Sequence, residues 1–279
     1  MATGWTCPSC GKRRRTQYCC ECGEERLLPN DLTFTDLAAR FARTVSSVDG
    51  KLLRSSRAII LTPGALTASY ICGERRRFLG PLQLFLIANA LFFGVQSLTQ
   101  TNVLSPSLDS HRHVQDWSDF AQALILQRFG DDERAVATFA RTFEQAAIFN
   151  AKALIILMVL AFVPVVALVF RGAHRAAGAH VVFSLHLYSF VLLVLCVALA
   201  VAEVSLLMGG GGLATPAVDT WLSVANVAVC GVYIYLAVGP AYLARGLPRV
   251  AATIVLTATL ALLFVGYRFA IFLITFYTS

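Results

Sequence analysis

The sequence predicts an all-α polytopic membrane protein with about five transmembrane helices, preceded by a small N-terminal head. Of its 279 residues, 57% are hydrophobic and 14% are charged, and the mean hydropathy of +0.67 is higher than a soluble domain sustains. Five long apolar segments exclude a single soluble core, a disordered chain and a β-barrel with alternating strands. The head stands out because five of the eight cysteines lie within the first 22 residues.

The head, residues 1–28, has the cysteine spacing of a zinc ribbon. Two Cys-x-x-Cys pairs, each followed by Gly, are separated by eight residues, and together they offer four thiolates to one tetrahedral ion. The predicted zinc ligands are Cys7, Cys10, Cys19 and Cys22, with Cys20 a bystander. No secretory signal precedes them, so we expect a reducing cytoplasmic location, where metal is favoured over the alternatives of a disulfide or redox pair. Four thiolates close the coordination shell, which predicts a structural zinc.

Residues 29–77 are predicted to form basic amphipathic helices at the membrane interface. Apolar residues recur at helical spacing with arginines between them, but no run is long enough to span a bilayer. Thr62-Pro63-Gly64 breaks the pattern, and a second short helix is expected from Ala65 to about Ile71. The triplet Arg75, Arg76 and Arg77 precedes the first span. The excess of Lys and Arg that membrane proteins carry on their cytoplasmic side is enough to explain the triplet. Binding of anionic lipid is the alternative.

The membrane domain is predicted over residues 78–279, with spans at 79–98, 153–170, 181–208, 218–243 and 250–277. Before the first span there are 13 Lys and Arg residues, whereas the loop 99–152 has 5 basic and 7 acidic residues. Positive residues recur at alternate ends, which predicts a multi-pass protein of the cytoplasmic (inner) membrane with a cytoplasmic N-terminus and an external C-terminus. The external loop is expected to be partly helical, over 118–129 and 131–149, and its second helix to continue into the second span.

Part of the chain resembles a bacterial family of polytopic membrane proteins of unknown function that carry an N-terminal four-cysteine ribbon. The resemblance lies in the run from Thr62 to Phe85 and in the later segment from Leu185 to Phe190, which contains a histidine. The matching residues are Pro63, Gly64, Tyr70, Gly73, Arg75, Arg77, Pro81 and Phe85. Phe78 stands where that family is expected to have Tyr. The resemblance implies a helical membrane fold and brings no activity with it.

Polar side chains within the spans are the remaining candidates for a functional site, because each costs several kcal/mol in hydrocarbon unless it has a partner. Asn89 and His186 are such candidates, with helix-to-helix hydrogen bonding as the simpler explanation for His186. Glu203 and Arg268 fall at similar depths near the outer boundary, where they either pair or reach separately into the headgroups. The loop histidines His111, His113, His174 and His180 are expected to be solvated rather than metal ligands.

The sequence contains no Walker loop, dinucleotide fingerprint, nucleophile elbow or metalloprotease helix, so catalytic residues stay unassigned and enzymatic activity remains open. We therefore expect a regulatory or scaffolding membrane protein whose zinc ribbon docks a cytosolic partner or the membrane surface. The alternative is a small-molecule or lipid transporter, or an intramembrane lipid-modifying enzyme. Expected partners are the bilayer, anionic lipids and a cytosolic protein bound through the zinc ribbon. The sequence is compatible with a homo-oligomer, and it disfavours nucleic acid as a partner.

Overall fold

The computed structural model describes residues 5–6, 11–14, 50–71, 78–99, 101–173 and 176–279. Contacts divide the chain into two compact units, Met1–Lys51 and Leu52–Ser279. Two sets of predicted site residues lie outside the described residues, namely Cys7, Cys10, Cys19 and Cys22 of the head and the triplet Arg75, Arg76 and Arg77.

The first unit contains a short β-hairpin. Strand β1, Trp5–Thr6, pairs antiparallel with strand β2, Arg13–Arg14, in the register Trp5 to Arg14 and Thr6 to Arg13. The connection between the strands is the stretch of sequence that holds the first Cys-x-x-Cys pair. Gly11, which follows that pair, has φ +70°, a left-handed conformation that favours glycine.

The second unit is helical. Helix α1 includes residues 50–61, although its first two residues, Gly50 and Lys51, belong to the first unit. The helices that follow are α2 Ala65–Ile71, α3 Pro81–Leu98, α4 Leu108–His113, α5 Ser118–Phe129, α6 Glu133–Leu154, α7 Ile156–Val169, α8 Ala177–Leu207, α9 Pro216–Tyr242 and α10 Gly246–Thr278. Short 3-10 turns at Arg171–Ala173 and Gly212–Ala214 connect α7 to α8 and α8 to α9.

Four described helices, α3, α8, α9 and α10, are long and apolar enough to cross a membrane. Their bounds agree with the predicted spans 79–98, 181–208, 218–243 and 250–277 to within a few residues. The predicted second span, 153–170, differs because α7 has only 14 residues, about 21 Å of helix. It joins α6 through a bend of 43°, and the bent pair counts as a fifth span if taken together.

The bend between α6 and α7 lies where the pattern of side chains changes. Helix α6 buries one apolar stripe, formed by Val136, Phe139, Phe143, Ala147 and Ala151, and keeps a polar opposite face. Helix α7 is apolar on every side. At the junction the amide of Met158 bonds to the carbonyl of Ile155 at a three-residue spacing. The second loop helix, α6, therefore leads directly into the predicted second span, as expected, but the two helices do not share one straight axis.

Residues 52–71, here called the hairpin segment, pack into one end of the bundle. Helix α2 contacts both α8 and α9. On α1, the side chains of Ser55 and Ile59 are buried, and Ser55 Oγ accepts a hydrogen bond of 2.9 Å from the amide of Leu79. The same end of the bundle, the hairpin end, holds the last residues of α7 and α9 and the first residues of α8. Contacts among Phe170, His180 and Tyr242 join these three helices there.

The opposite end, the loop end, is covered by α4, α5 and α6. Helix α6 packs on α10, where Tyr267 donates a hydrogen bond of 2.7 Å to the carbonyl of Ala151. Arg128 of α5 donates to the carbonyl of Phe276 at 2.5 Å, and its guanidinium lies over the rings of Phe129, Phe139 and Phe276. These contacts attach the loop helices to the end of the last span.

Candidate functional site

The most buried polar contact in the membrane domain joins the hairpin segment to α8. Thr67 Oγ1 of α2 lies 2.9 Å from His186 Nδ1, and both residues are 2% exposed. The ring tautomer decides which of the two atoms donates. The ring of Tyr70, one turn further along α2, meets the His186 ring edge-on, with centroids 6.4 Å apart. His186 is thus held by the hairpin segment.

Gly64 allows α2 to reach this position. Its φ is +80°, and a Cβ at this residue would lie 2.3 Å from the carbonyl oxygen of Ala237 on α9. Both the backbone conformation and the close approach therefore require glycine. The turn Thr62-Pro63-Gly64 rests directly on α9, and α2 then runs between α8 and α9.

Three polar atoms near the middle of the bundle have no hydrogen-bond partner among the described residues. They are His186 Nε2, the Tyr188 hydroxyl and Asn89 Oδ1. Asn89 shares a face of α3 with the buried residues Phe85, Phe92 and Gln96, and α3 packs closely on α8. The predicted candidates Asn89 and His186 are therefore both interior groups with unused hydrogen-bonding capacity.

Glu203 does not join this group. It lies 17 residues after His186 on the continuous helix α8, a separation of about 25 Å along the axis. The sequence left open whether Asn89, His186 and Glu203 meet in one site, and the helix length separates Glu203 from the other two.

The second predicted pair, Glu203 with Arg268, forms no ion pair in the described part of the chain. The carboxylates that act electrostatically on Arg268 are Asp116, before α5, and Asp219, in the first turn of α9. Arg268 also acts on His111 of α4. Arg268 therefore belongs to a charged cluster at the loop end that includes residues far from it in sequence.

His111, expected to be solvated, is instead 1% exposed. Its Nδ1 accepts a hydrogen bond of 3.1 Å from Trp117 Nε1, which places the proton of the neutral ring on Nε2. The ring lies against that of Phe272 with centroids 4.6 Å apart and a tilt of 33°, and it meets Phe143 edge-on. Burial, with a smaller contribution from Arg268, lowers the pKa of His111 to about 4.

The neighbouring histidines are used separately. His113 Nδ1 lies 3.0 Å from a carboxylate oxygen of Asp109 and stays exposed. His180, also expected in solvent, is buried, and its Nδ1 bonds the Tyr242 hydroxyl at 3.0 Å. His174 lies outside the described residues. Among the residues that the structure describes, no group of three or more His, Cys, Asp or Glu side chains is arranged to hold a metal ion.

Sequence reasoning missed two structurally important side chains. Thr67 stands within the run that carries the family resemblance, but a single threonine in a short helix gives no signal of a partner 119 residues away. Arg249 is, in the sequence, one of the positive residues that recur at alternate ends. In the structure its Nε donates to the carbonyl of Tyr235 at 2.7 Å and its guanidinium lies over the Tyr235 ring. Pro240 lacks the amide that would bond the carbonyl of Leu236, and Arg249 Nη2 lies 3.5 Å from that carbonyl, so Pro240 is a sequence signal for this contact.

Comparison with known proteins identifies one family. Residues 49–93 match the family described as "Protein of unknown function (DUF3667)". The match covers the hairpin segment and most of α3, which agrees with the expected resemblance to an uncharacterised family. No curated protein and no solved structure matches the chain.

Proposed function

We propose that this protein is an integral protein of the cytoplasmic membrane whose N-terminal head is a structural zinc ribbon that docks a cytosolic partner. In this proposal the helical bundle anchors the head, and the role of the protein is regulatory or scaffolding. The four or five helices that can cross a membrane support the anchoring part.

The observation that carries the proposal is the β-hairpin whose connecting sequence contains the first cysteine pair. Antiparallel pairing of Trp5–Thr6 with Arg13–Arg14 brings together the two ends of the segment that contains Cys7 and Cys10. The left-handed Gly11 after the pair fits a chain that turns back beneath two metal-bound thiolates. Cys7, Cys10, Cys19 and Cys22 would hold the zinc. A zinc with four thiolate ligands supplies a cross-link that stabilises a small domain lacking a large core.

The packing of the membrane domain supports an anchoring role over transport or lipid chemistry. Two of its buried polar pairs hold helices together, namely Thr67 with His186 and His180 with Tyr242. The hydroxyls of Ser184 and Ser189 are satisfied within their own helix. Glu203 lies too far from His186 to contribute to one site.

The orientation of the bundle is part of the proposal. The hairpin end would face the cytoplasm, because Arg171 after α7 and Arg245 in the connection 243–245 lie on that side. Arg75, Arg76 and Arg77 precede α3 at this end of the sequence and would contact anionic headgroups of the inner leaflet. The exposed apolar side chains of Leu53, Ile60 and Leu61 on α1 support contact with lipid there.

The docking role can be tested in living cells with the full chain. A photo-crosslinking amino acid is placed at Lys12, which is exposed in the head, and the matched control carries it at Asp119, exposed on α5 at the loop end. We expect a light-dependent adduct of defined mass with a cytosolic protein from position 12, and none from position 119. The same adduct must disappear when Cys7→Ser and Cys22→Ser are added. An adduct that survives loss of both cysteines, or no adduct from position 12, contradicts docking by the ribbon.

A further inference from the structure

The hairpin end contains a groove that none of the preceding assignments uses. It has a volume of about 400 Å³ and lies between the end of α7, the end of α9 and the beginning of α10. This volume falls within the range of small-molecule and lipid-chain sites, about 300–1,000 Å³. Small residues create the space, because Gly172, Ala173, Ala244 and Ala251 line it where larger side chains would fill it.

One wall of the groove follows α10 for about two turns. This wall is formed by Pro248, Ala251, Ala252 and Val255, which repeat at helical spacing on one face. These residues extend over about 10 Å in the direction of the span. The groove therefore runs from the end of the bundle toward the apolar middle, the direction that an acyl chain takes in a bilayer.

The floor of the groove is aromatic and fixed. The ring of Tyr242 stacks on Phe170 with centroids 3.9 Å apart and an interplanar angle of 2°. It also lies nearly parallel to the ring of His180, whose Nδ1 bonds the Tyr242 hydroxyl. Because the hydroxyl is engaged with His180, Tyr242 contributes mainly apolar ring atoms to the groove. Such a floor favours a hydrocarbon occupant.

Exposed arginines stand next to the groove in sequence. Arg171 directly follows the lining residue Phe170, Arg245 directly follows the lining residue Ala244, and both arginines are exposed. The sequence has no acidic residue over 171–176 or over the connection 243–245. Arg249, in the first turn of α10, is occupied with the carbonyl of Tyr235, so Arg171 and Arg245 are the described arginines that we assign to a ligand. The uncapped start of α10 adds partial positive charge on the same side.

We propose that this groove binds one anionic phospholipid, with an acyl chain along the α10 face and the phosphate at Arg171 and Arg245. The occupant is amphipathic because the groove is apolar below and cationic above. The site is distinct from the contact proposed for Arg75, Arg76 and Arg77. The choice of an anionic lipid rests on the proposed function, in which the hairpin end faces the anionic cytoplasmic leaflet. Binding at the groove does not depend on the zinc ribbon or on a partner protein.

The test is native mass spectrometry of the purified full chain in detergent, titrated separately with dioleoyl phosphatidylglycerol and dioleoyl phosphatidylcholine. Each arginine near the phosphate contributes about fivefold to binding, so we expect the first phosphatidylglycerol adduct to form at least fivefold more readily than the phosphatidylcholine adduct. Arg171→Gln with Arg245→Gln should reduce that preference at least fivefold, and adding Arg75→Gln, Arg76→Gln and Arg77→Gln removes the separate contact proposed for that triplet. Arg141→Gln, which removes an exposed charge at the loop end, is the matched control and should retain the preference.

A second variant tests the apolar half of the site. Ala251→Leu fills the groove without changing charge, and it should reduce the adducts of both lipids several-fold. Ala270→Leu, an exposed alanine on the same helix about 28 Å away, should have no effect. Equal binding of the two lipids by the unmodified chain, a phosphatidylglycerol preference that the double arginine variant leaves unchanged, or lipid adducts that a folded Ala251→Leu variant leaves undiminished overturns the proposal. Because the double arginine variant alters exposed side chains only, it decides the matter if Ala251→Leu fails to fold. Loss of the cross-link from Lys12 with intact lipid selectivity would reject the docking function alone.

Discussion

Thr67 and His186 are 119 residues apart in sequence, and their side chains meet at 2.9 Å in the interior of the membrane domain. Thr67 lies in the short helix after the Thr62-Pro63-Gly64 turn, and His186 is the tenth residue of α8, within its longest continuous buried stretch. The contact means that the hairpin segment is a structural part of the bundle. It is also the segment that the family match covers.

Replacing Thr67 by Val should destabilise the membrane domain. The substitution keeps the shape of the side chain but leaves His186 Nδ1 without its partner, beside an Nε2 that has none among the described residues. We expect a loss of about 1 to 2 kcal/mol, within the range for a buried polar group deprived of its hydrogen bond. The measurement is the melting temperature of the purified protein in detergent.

Two variants serve as controls for Thr67→Val. Thr67→Ser retains the hydroxyl and should recover most of the stability. Thr259→Val removes a hydroxyl that bonds only to the carbonyl of Val255 on its own helix and is exposed, so it should change the melting temperature little. Equal effects of Thr67→Val and Thr259→Val would show that the contact with His186 contributes nothing.

Gly64→Ala should be far more damaging than the same change at Gly209. Both glycines have positive φ, +80° and +83°, so each substitution incurs a backbone penalty of about 1–2 kcal/mol. At Gly64 the new Cβ also lies 2.3 Å from the carbonyl oxygen of Ala237, whereas at Gly209 it meets nothing within 4 Å. We expect Gly64→Ala to cost at least about 2 kcal/mol more than Gly209→Ala in thermal unfolding. Similar losses would mean that α9 moves away at little cost.

The long apolar helices could be predicted from the sequence because hydrocarbon thickness imposes a length and a composition on each span. The predicted ends of α3, α8, α9 and α10 therefore agree with the structure. The break between α6 and α7 could not, since Ile155 lies in continuous helical sequence without Pro or Gly at the bend. The hydrogen-bond partners of the polar side chains could not be predicted from the sequence either. Nothing in the local pattern distinguishes His111, which is buried between rings, from His113, which is exposed.

His111 should make stability depend on pH between about 6.5 and 4. Its pKa in the folded protein is about 4, below the ordinary value of 6.5, because burial opposes the charged ring. The unfolded chain therefore takes up a proton that the folded chain does not as pH falls through this window, and stability is lost there. The contribution is full above pH 6.5. The loss by pH 4 is on the order of 3 kcal/mol, from 1.36 kcal/mol per unit of pKa difference.

The measurement for His111 is the melting temperature as a function of pH for the unmodified protein and for His111→Phe. The difference between the two proteins should change steeply between pH 6.5 and 4 and be constant above pH 7. His113→Gln is the control, because His113 is exposed beside Asp109, and its curve should follow the unmodified protein. A constant difference across the whole range would show that His111 is not responsible.

The proposed orientation predicts which engineered cysteines react from outside the cell. In a background without native cysteines, Asp119→Cys in α5 should react with an impermeant maleimide in intact cells, because the loop 99–152 is expected to be external. Ala173→Cys and Arg245→Cys, both in connections at the hairpin end, should react only after permeabilisation. The reverse pattern would invert the bundle, and labelling of all three in intact cells would contradict a single orientation.

The cysteine spacing predicts one zinc per chain, with Cys7, Cys10, Cys19 and Cys22 as ligands. Elemental analysis of the protein purified without chelators should give close to one equivalent, because a tetrathiolate site retains its ion through purification. Cys7→Ser with Cys22→Ser removes one ligand from each pair and should reduce zinc to near zero, whereas Cys20→Ser, the matched control between two ligands, should leave it unchanged. The first pair of zinc ligands, Cys7 and Cys10, lies in the sequence that connects β1 to β2. Loss of zinc should therefore also make the head sensitive to limited proteolysis, while the membrane domain keeps its melting temperature. Unchanged zinc in the double variant, or equal zinc loss from Cys20→Ser, would rule out this ligand set.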